Sequence, residues 1–219
     1  MAYPTVDAAA VPWLTVQQMV DADRLAVEDF GIGLLQMMEH AGRSLADLTI
    51  ELFPEGDIVV LAGGGNNGGG GLSAARHLAN RGRRVAVALA TADPGPAVTH
   101  HLRTLAAMGI RPLPELPPSP VVVDALVGYG LAGALRGRAA SLAAAAGGRS
   151  VVSLDLPSGH GAAGAVEAAA TLTLALPKER LRRVRPLYVA DLGLPDALWT
   201  TLGVAAPGLF RNGRIVRVV

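Results

Sequence analysis

The sequence contains no cysteine, which excludes disulfide bonds, thiolate nucleophiles and cysteine-ligated zinc sites. Aromatic residues are scarce at 4%, and charged residues make up only 17% of the chain. The 19 lysines and arginines balance the 18 aspartates and glutamates, which leaves a net charge of +1. Because nucleic-acid-binding proteins carry clustered positive charge, and Glu179 interrupts the basic stretch at 178–183, we expect no nucleic-acid partner.

Targeting signals and long apolar runs are lacking as well. Residues 1–7 have neither the basic nor the apolar region of a secretory leader, and no uncharged apolar run approaches the length of a membrane span. We therefore expect a cytoplasmic protein that does not bind a membrane. A chain of 219 residues, 51% of them hydrophobic, is long enough for one α/β domain. We assign that domain to residues 14–219 and expect the Ala- and Pro-rich residues 1–13 to be poorly ordered.

Two helices are predicted before any long strand. The first runs from Val16 to Phe30, with Thr15 as its N-cap and with Asp21 and Asp23 at exposed positions, and the second runs from residue 34 to residue 52. Short apolar strands then alternate with helices, which is typical of a mostly parallel sheet covered on both faces. The predicted strands are 58–62, 85–90, 121–123, 151–154 and 171–176, with helices at 72–80, 97–107 and 135–146 and edge strands at 188–190 and 215–218.

A glycine-dense stretch follows the first long strand. Residues 63–71 read Gly-Gly-Gly-Asn-Asn-Gly-Gly-Gly-Gly and precede a helical pattern from Leu72. Glycines allow close approach of a ligand to the backbone, and a helix start attracts anions. The spacing matches neither the P-loop nor the G-x-G-x-x-G pattern. We interpret the stretch as a loop that binds a phosphate-bearing small molecule, the alternative being a flexible turn.

Polar side chains also follow two later strands. Asp124 comes directly after one strand, and Asp155 and Ser158 come after another. In open α/β sheets ligands bind beyond the carboxyl ends of the strands, so these groups are expected to converge with Asn66 and Asn67. Asn67, Asp124 and Ser158 offer hard oxygen donors, which suit a monovalent or hard divalent cation. Either aspartate alone could instead form a turn.

The five histidines show no zinc-binding spacing. Of these, His160 alone follows a strand that leads to the predicted site. It could act as an acid or a base, or it could be a surface residue of a glycine-rich turn.

These motifs, in order and spacing, resemble the NAD(P)H-hydrate epimerase family. The resemblance spans about Leu14 to Pro195 and is carried by Met38 to Arg43, Asn66 to Gly69, Asp124 to Leu126 with Gly128, Gly130 and Leu131, Asp155 to Gly159, Pro177-Lys178, and Val189 to Pro195. It implies a Rossmann-like three-layer sandwich, often dimeric, that interconverts the R and S hydrates at C6 of the damaged nicotinamide ring. The resemblance implies that the protein forms a homodimer. It implies no tightly bound organic cofactor.

The resemblance also implies roles for individual residues. A potassium ion would be held by Asn67, Asp124 and Ser158. Asp155 would act as acid or base, with Asp124 supporting the cation or the substrate. The hydrate would contact the loop from Gly128 to Ala134 and, among single residues, Asn66, Asn67, Gly68, Gly69, Gly70, Gly128, Gly130, Leu131 and Lys178.

The chain departs from the family pattern at two acidic positions. Gly70 stands where the first motif has an aspartate, and His160-Gly161 stand where Leu-Asp is usual. Tyr129 replaces a small hydroxylated residue. Two alternatives therefore stay open. One is an isomerase, cyclase or dehydratase acting on another small molecule in a biosynthetic pathway, with Asp155, Tyr129 and His160 moving protons. The other is an inactive binding or scaffolding protein.

Overall fold

The computed structural model describes residues 3–130, 133–205 and 208–219 and contains one eight-stranded sheet. The strands lie in the order β1-β8-β7-β6-β5-β4-β2-β3. Strands β2 to β7 are parallel to one another, β8 runs antiparallel to β7, and β1 pairs with β8. Their bounds are β1 Thr5–Val6, β2 Ile58–Ala62, β3 Val85–Leu89, β4 Val121–Ala125, β5 Ser150–Leu154, β6 Ala170–Leu174, β7 Leu187–Ala190 and β8 Ile215–Val218.

Helices cover both faces of the sheet, which confirms the predicted three-layer α/β fold. Side chains of α2, α3 and α4 pack on one face and those of α5 on the other, while α1 and α6 share a separate apolar cluster. Among the described residues, no helix has both the length and the apolar character needed to cross a membrane. The helices are α1 Val16–Glu28, α2 Leu34–Leu52, α3 Asn66–Asn80, α4 Pro96–Ala107, α5 Gly137–Ala145 and α6 Asp196–Thr201, with a 3-10 helix at Glu179–Leu181.

The order of the strands creates a crevice at the carboxyl end of the sheet. From β2 the chain passes through α3 to β3 on one side, and it later returns to β4 on the other side of β2. The loops after β2 and β4 therefore separate in opposite directions. Such a topological switch point is where open α/β sheets bind their ligands.

Most of the glycine-dense stretch belongs to a helix, so the prediction that this helix begins at Leu72 was wrong. Helix α3 begins at Asn66, with Gly65 as its N-cap. Its buried glycines allow close packing. A Cβ at Gly71 would lie 2.4 Å from Ala125 Cβ, and one at Gly68 would lie 2.0 Å from the Gly63 carbonyl oxygen. The missing side chains let α3 lie closer to the sheet than an ordinary helix could.

Residues 3–13, predicted as a separate segment of low order, contact the edge of the sheet in the structure. Thr5 and Val6 pair with Arg217 and Val218. The indole N–H of Trp13 donates to the Ala8 carbonyl oxygen at 2.8 Å. The predicted N-cap of α1 is present as well, since Thr15 and Gln18 form a capping box.

We expect Gly71→Ala to destabilise the fold although alanine favours helices. The added methyl group would overlap Ala125, and such overpacking costs about 1–3 kcal/mol, more than the gain in helix propensity. Urea unfolding followed by circular dichroism measures the change. Gly213→Ala is the control, because a Cβ there makes only an ordinary contact, 3.4 Å from Pro4 Cγ. Equal stability of the Gly71 variant and the natural chain would contradict the packing argument.

Candidate active site

A cavity of about 420 Å³ lies at the switch point of the sheet. Residues after β2, β4, β5 and β6 form its floor, and α1 and α2 close it from the other side. Its apolar wall consists of Met19, Leu34, Met37, Met38, Ala41, Leu126, Val127, Leu154, Leu174 and Leu192. Its titratable groups are Asp23, Tyr129, Asp155 and Lys178. A cavity with one apolar wall and a few convergent polar groups suits an organic ring with polar substituents.

A buried ion pair is the main polar feature of the floor. Lys178 Nζ lies 2.6 Å from Asp155 Oδ1, with the two side chains only 1% and 4% exposed. The ammonium also donates to Thr173 Oγ1 at 3.1 Å and to the Leu174 carbonyl oxygen at 2.8 Å. These two hydrogen bonds and the ion pair with Asp155 offset the cost of burying the charge of the lysine.

The backbone presents this pair through two similar tight turns. Asp155 and Ala175 have left-handed φ angles of 67° and 60°. At each of these residues the next N–H donates to the preceding carbonyl oxygen, at 2.9 Å and 2.8 Å. This is the geometry of the classic γ-turn, which is rare and strained. Leu-Pro follows both turns and leads to Ser158 in one case and to Lys178 in the other.

Tyr129 connects two carboxyl groups of the cavity. Its backbone N–H donates to Asp155 Oδ2 at 2.9 Å, and its phenol donates to Asp23 Oδ2 at 2.6 Å. Burial raises the pKa of Asp23, although the hydrogen bond from Tyr129 and the charge of Lys178 act in the opposite direction. Burial and the bond to Asp23 likewise raise the pKa of the Tyr129 phenol. Asp23 therefore retains a proton more readily than an ordinary aspartate.

Asp124 lies behind the cavity in a buried cluster of oxygens and is completely buried. Oδ1 accepts hydrogen bonds from Ser158 Oγ at 2.6 Å and Leu126 N at 3.2 Å, while Oδ2 accepts from Ser153 Oγ at 2.7 Å and Ser158 N at 2.9 Å. Burial raises the pKa of Asp124 despite these bonds. The Val127 carbonyl oxygen lies 3.1 Å from Ser158 Oγ.

The start of α3 forms another part of the cavity. Gly65, Asn66 and Asn67 line it, and the first intrahelical bond is donated by Gly69. The preceding N–H groups lack intrahelical partners, and they lie at the positive end of the helix dipole. Asn67 Nδ2 donates to the Leu154 carbonyl oxygen at 3.3 Å. A Cβ at Gly128 would lie 2.7 Å from Asp155 Oδ2, so glycine lets this loop pass the carboxylate.

The two positions that depart from the family pattern lie in different places. Gly70 lines the cavity, and a Cβ there would lie 2.9 Å from Leu154 Cδ2. Gly161 is exposed, with a φ of 85°, and nothing lies within 4 Å of an added Cβ. Of these two positions, only position 70 lines the cavity.

The structure brings many of the predicted site residues together, but not all. Gly68, Gly69, Asp124, Ser158 and His160 do not line the cavity, and Leu131 lies outside the described residues. His160 faces away from it, with its Nε2 atom 3.0 Å from the Arg180 carbonyl oxygen. The predicted residues that do line the cavity are Asn66, Asn67, Gly70, Gly128, Tyr129, Gly130, Asp155 and Lys178.

Sequence reasoning missed Asp23 by placing it on the exposed face of α1. It is half-buried and lines the cavity. The periodicity of the helix could have indicated this, because Asp23 lies four residues after the buried Met19 and three residues before the buried Ala26. An acid on the same side as buried apolar residues faces the interior of the fold.

Comparisons with known proteins identify the family of this chain. Residues 34–180 match the family model described as YjeF-related protein N-terminus. An NAD(P)H-hydrate epimerase of Dehalogenimonas lykanthroporepellens is 42% identical over 92% of this chain and 90% of its own, and one of Rhodopirellula baltica is 36% identical over 84% and 86%. The crystal structure of yeast ynu0 has the same fold, with a TM-score of 0.84, 23% identity, and coverage of 95% of this chain and 100% of that one. The chain therefore belongs to the NAD(P)H-hydrate epimerase family.

Proposed function

We propose that this protein is an NAD(P)H-hydrate epimerase, an isomerase that interconverts the R and S hydrates of reduced nicotinamide dinucleotides. The observation that carries the proposal is the convergence of the Asp155–Lys178 pair and the start of α3 on one cavity. The names of the relatives support this function and neither alternative. A role in the repair of damaged cofactor follows from the same activity.

The reaction needs proton transfer at one carbon atom of the nicotinamide ring. The C6–O bond breaks, its electron pair stays with the departing oxygen, and the lone pair of the ring nitrogen forms a C6=N bond. A proton must reach the departing oxygen, and water must then add at C6 while losing a proton. We assign acid–base transfer to Asp155, whose carboxylate also stabilises the cationic ring. The apolar wall contacts the ring, and the N–H groups at the start of α3 bind the phosphates.

The residues predicted to hold potassium fit such an ion chemically. Asp124 and Ser158 supply oxygen donors that already lie 2.6 Å apart, and Asn67 supplies an amide oxygen at the adjacent cavity wall. Potassium binds to oxygen ligands of this kind, and its charge would neutralise a carboxylate that is otherwise buried among neutral hydrogen-bond donors. We include this ion in the proposal as a structural support for the loop after β4.

A homodimer in the cytoplasm also belongs to the proposal. Both rest on the resemblance to the family carried by the motifs between Leu14 and Pro195. The cavity itself is formed by residues of one chain.

Asp155→Asn should lower kcat for equilibration of the R and S hydrates of NADH by about 10²–10⁴-fold, because the amide cannot exchange the proton. Asparagine tolerates a left-handed φ, so the turn should persist. Chiral chromatography of the hydrates measures the rate, and circular dichroism checks folding. Asp47→Asn, which removes remote ion pairs to Arg81 and Arg214, should keep the natural rate. Equilibration by the natural chain no faster than in buffer would refute the proposed function.

Gly70→Asp should raise kcat, because it adds to the cavity a carboxylate that can stabilise the cationic ring. A Cβ atom at this position requires only the flexible end of Leu154 to move. Gly70→Asn is the matched control, since it has the same size and no charge. Equal rates for the aspartate and asparagine variants would show that a charge at position 70 does not contribute.

Potassium should raise the melting temperature of the natural chain above its value in choline chloride of equal ionic strength, because ligands that bind only the native state stabilise it. Asp124→Ala should abolish this difference, whatever its effect on stability in choline chloride. Differential scanning fluorimetry measures both. Identical melting temperatures of the natural chain in the two salts would rule out the cation site.

A further inference from the structure

The cavity contains a second carboxyl group whose position gives it a part in the same reaction. Asp23 and Asp155 are the carboxyl groups that line it among the described residues. They come from different elements, since Asp23 lies on α1 and Asp155 follows β5. Tyr129 contacts both, through its phenol at one end and its backbone N–H at the other. The two carboxyl groups therefore meet the cavity at opposite ends of one tyrosine.

The stereochemistry of epimerisation demands two proton-transfer groups. The hydroxyl group leaves one face of the ring, and water must add to the other face for the configuration to change. A carboxyl group fixed by hydrogen bonds reaches only one face. Asp155 is fixed by its ion pair with Lys178 and by the hydrogen bond from the Tyr129 N–H. With glycine at position 70, a further group must come from elsewhere in the cavity.

Building on the proposed function, we propose that Asp23 is the second acid–base residue and that Tyr129 positions it. Asp23 donates its proton to the oxygen leaving C6, and that oxygen departs as water with the electrons of the C6–O bond. Water then adds to the opposite face and gives its proton to Asp155. The net result is one proton moved from Asp23 to Asp155, and exchange with solvent restores the starting state. In the opposite direction the two residues exchange roles.

The surroundings of the two groups fit this division of roles. Asp155 Oδ1 lies 2.6 Å from the Lys178 ammonium group. The hydrogen bond that Asp23 receives from the described residues is at Oδ2, from the Tyr129 phenol, and burial favours its protonated form. The charged and titratable groups acting on Asp23 are Tyr129 after β4, Asp155 after β5 and Lys178 after β6. Two carboxyl groups in such unlike surroundings are characteristic of acid–base pairs in enzymes.

Asp23→Asn tests the assignment, with kcat and KM for hydrate equilibration measured across pH. We expect kcat to fall about 10²–10⁴-fold with little change in KM, because the amide keeps the contact with Tyr129 but carries no transferable proton. Asp21→Asn is the matched control on the same helix, where the carboxylate only accepts from Gln17 Nε2, and it should keep the natural kcat. Asp23→Glu should recover part of the lost rate.

Tyr129→Phe gives a second readout, which a purely structural role of Asp23 would not move. In the natural chain the Tyr129 phenol stabilises the Asp23 carboxylate by a hydrogen bond. Removing the phenol should therefore raise the pKa of Asp23 further and shift the alkaline limb of the pH profile of kcat to higher pH. This limb decides the question if Asp23→Asn fails to fold. An unshifted limb, or a natural kcat in a folded Asp23→Asn variant, overturns the assignment. These two results leave the proposed function intact. Absence of epimerase activity in the natural chain would instead overturn both the proposed function and the assignment of Asp23, so the two failures can be told apart.

Discussion

The ion pair between Asp155 and Lys178 fixes the relative positions of most other parts of the site. Two charges can remain at 1% and 4% exposure only if their geometry is maintained, because separating them would leave a charge in the interior at a cost of about 3–5 kcal/mol. The pair holds the ends of β5 and β6 together. The backbone on both sides of Lys178 is in turn hydrogen-bonded to Leu14. Leu14 N donates to the Pro177 carbonyl oxygen at 2.8 Å, and Glu179 N donates to the Leu14 carbonyl oxygen at 3.0 Å. Helix α1, which carries Asp23, starts directly after this contact.

Much of the fold could be predicted from the sequence, because its signals are local. Alternating apolar strands and helices specified a parallel sheet, and the strand β2 was predicted with its observed bounds at Ile58 and Ala62. The start of α3 was not predictable from helix propensity, since four successive glycines normally disfavour a helix. Close packing against β2 and α2 overrides that propensity at Gly68 to Gly71. The pairing of Thr5 and Val6 with β8 was equally hidden, because it joins residues from the two ends of the chain.

The candidate site was predictable where its residues follow strands directly. Asp155 and the asparagines at the start of α3 belong to this class, and the topology of the sheet brings them to one crevice. The same rule failed for His160, because a turn after Ser158 directs it toward Arg180 instead. It also could not distinguish Asp124, which hydrogen-bonds inward, from Asp155, which lines the cavity. Asp23 required knowledge of how α1 lies over the sheet, which depends on contacts between residues far apart in sequence.

The glycine-rich beginning of α3 affects how mutational data on this protein should be interpreted. The surface that a ligand meets there consists of peptide groups and two asparagines, and the glycines behind it touch the sheet and α2. Substituting Gly68 or Gly71 would therefore reduce binding by displacing the helix, without removing any group that touches the ligand. A scan of single substitutions would rank these glycines beside the residues proposed for acid–base transfer. Only a comparison of folding with turnover would separate the residues that support the site from those that perform its chemistry.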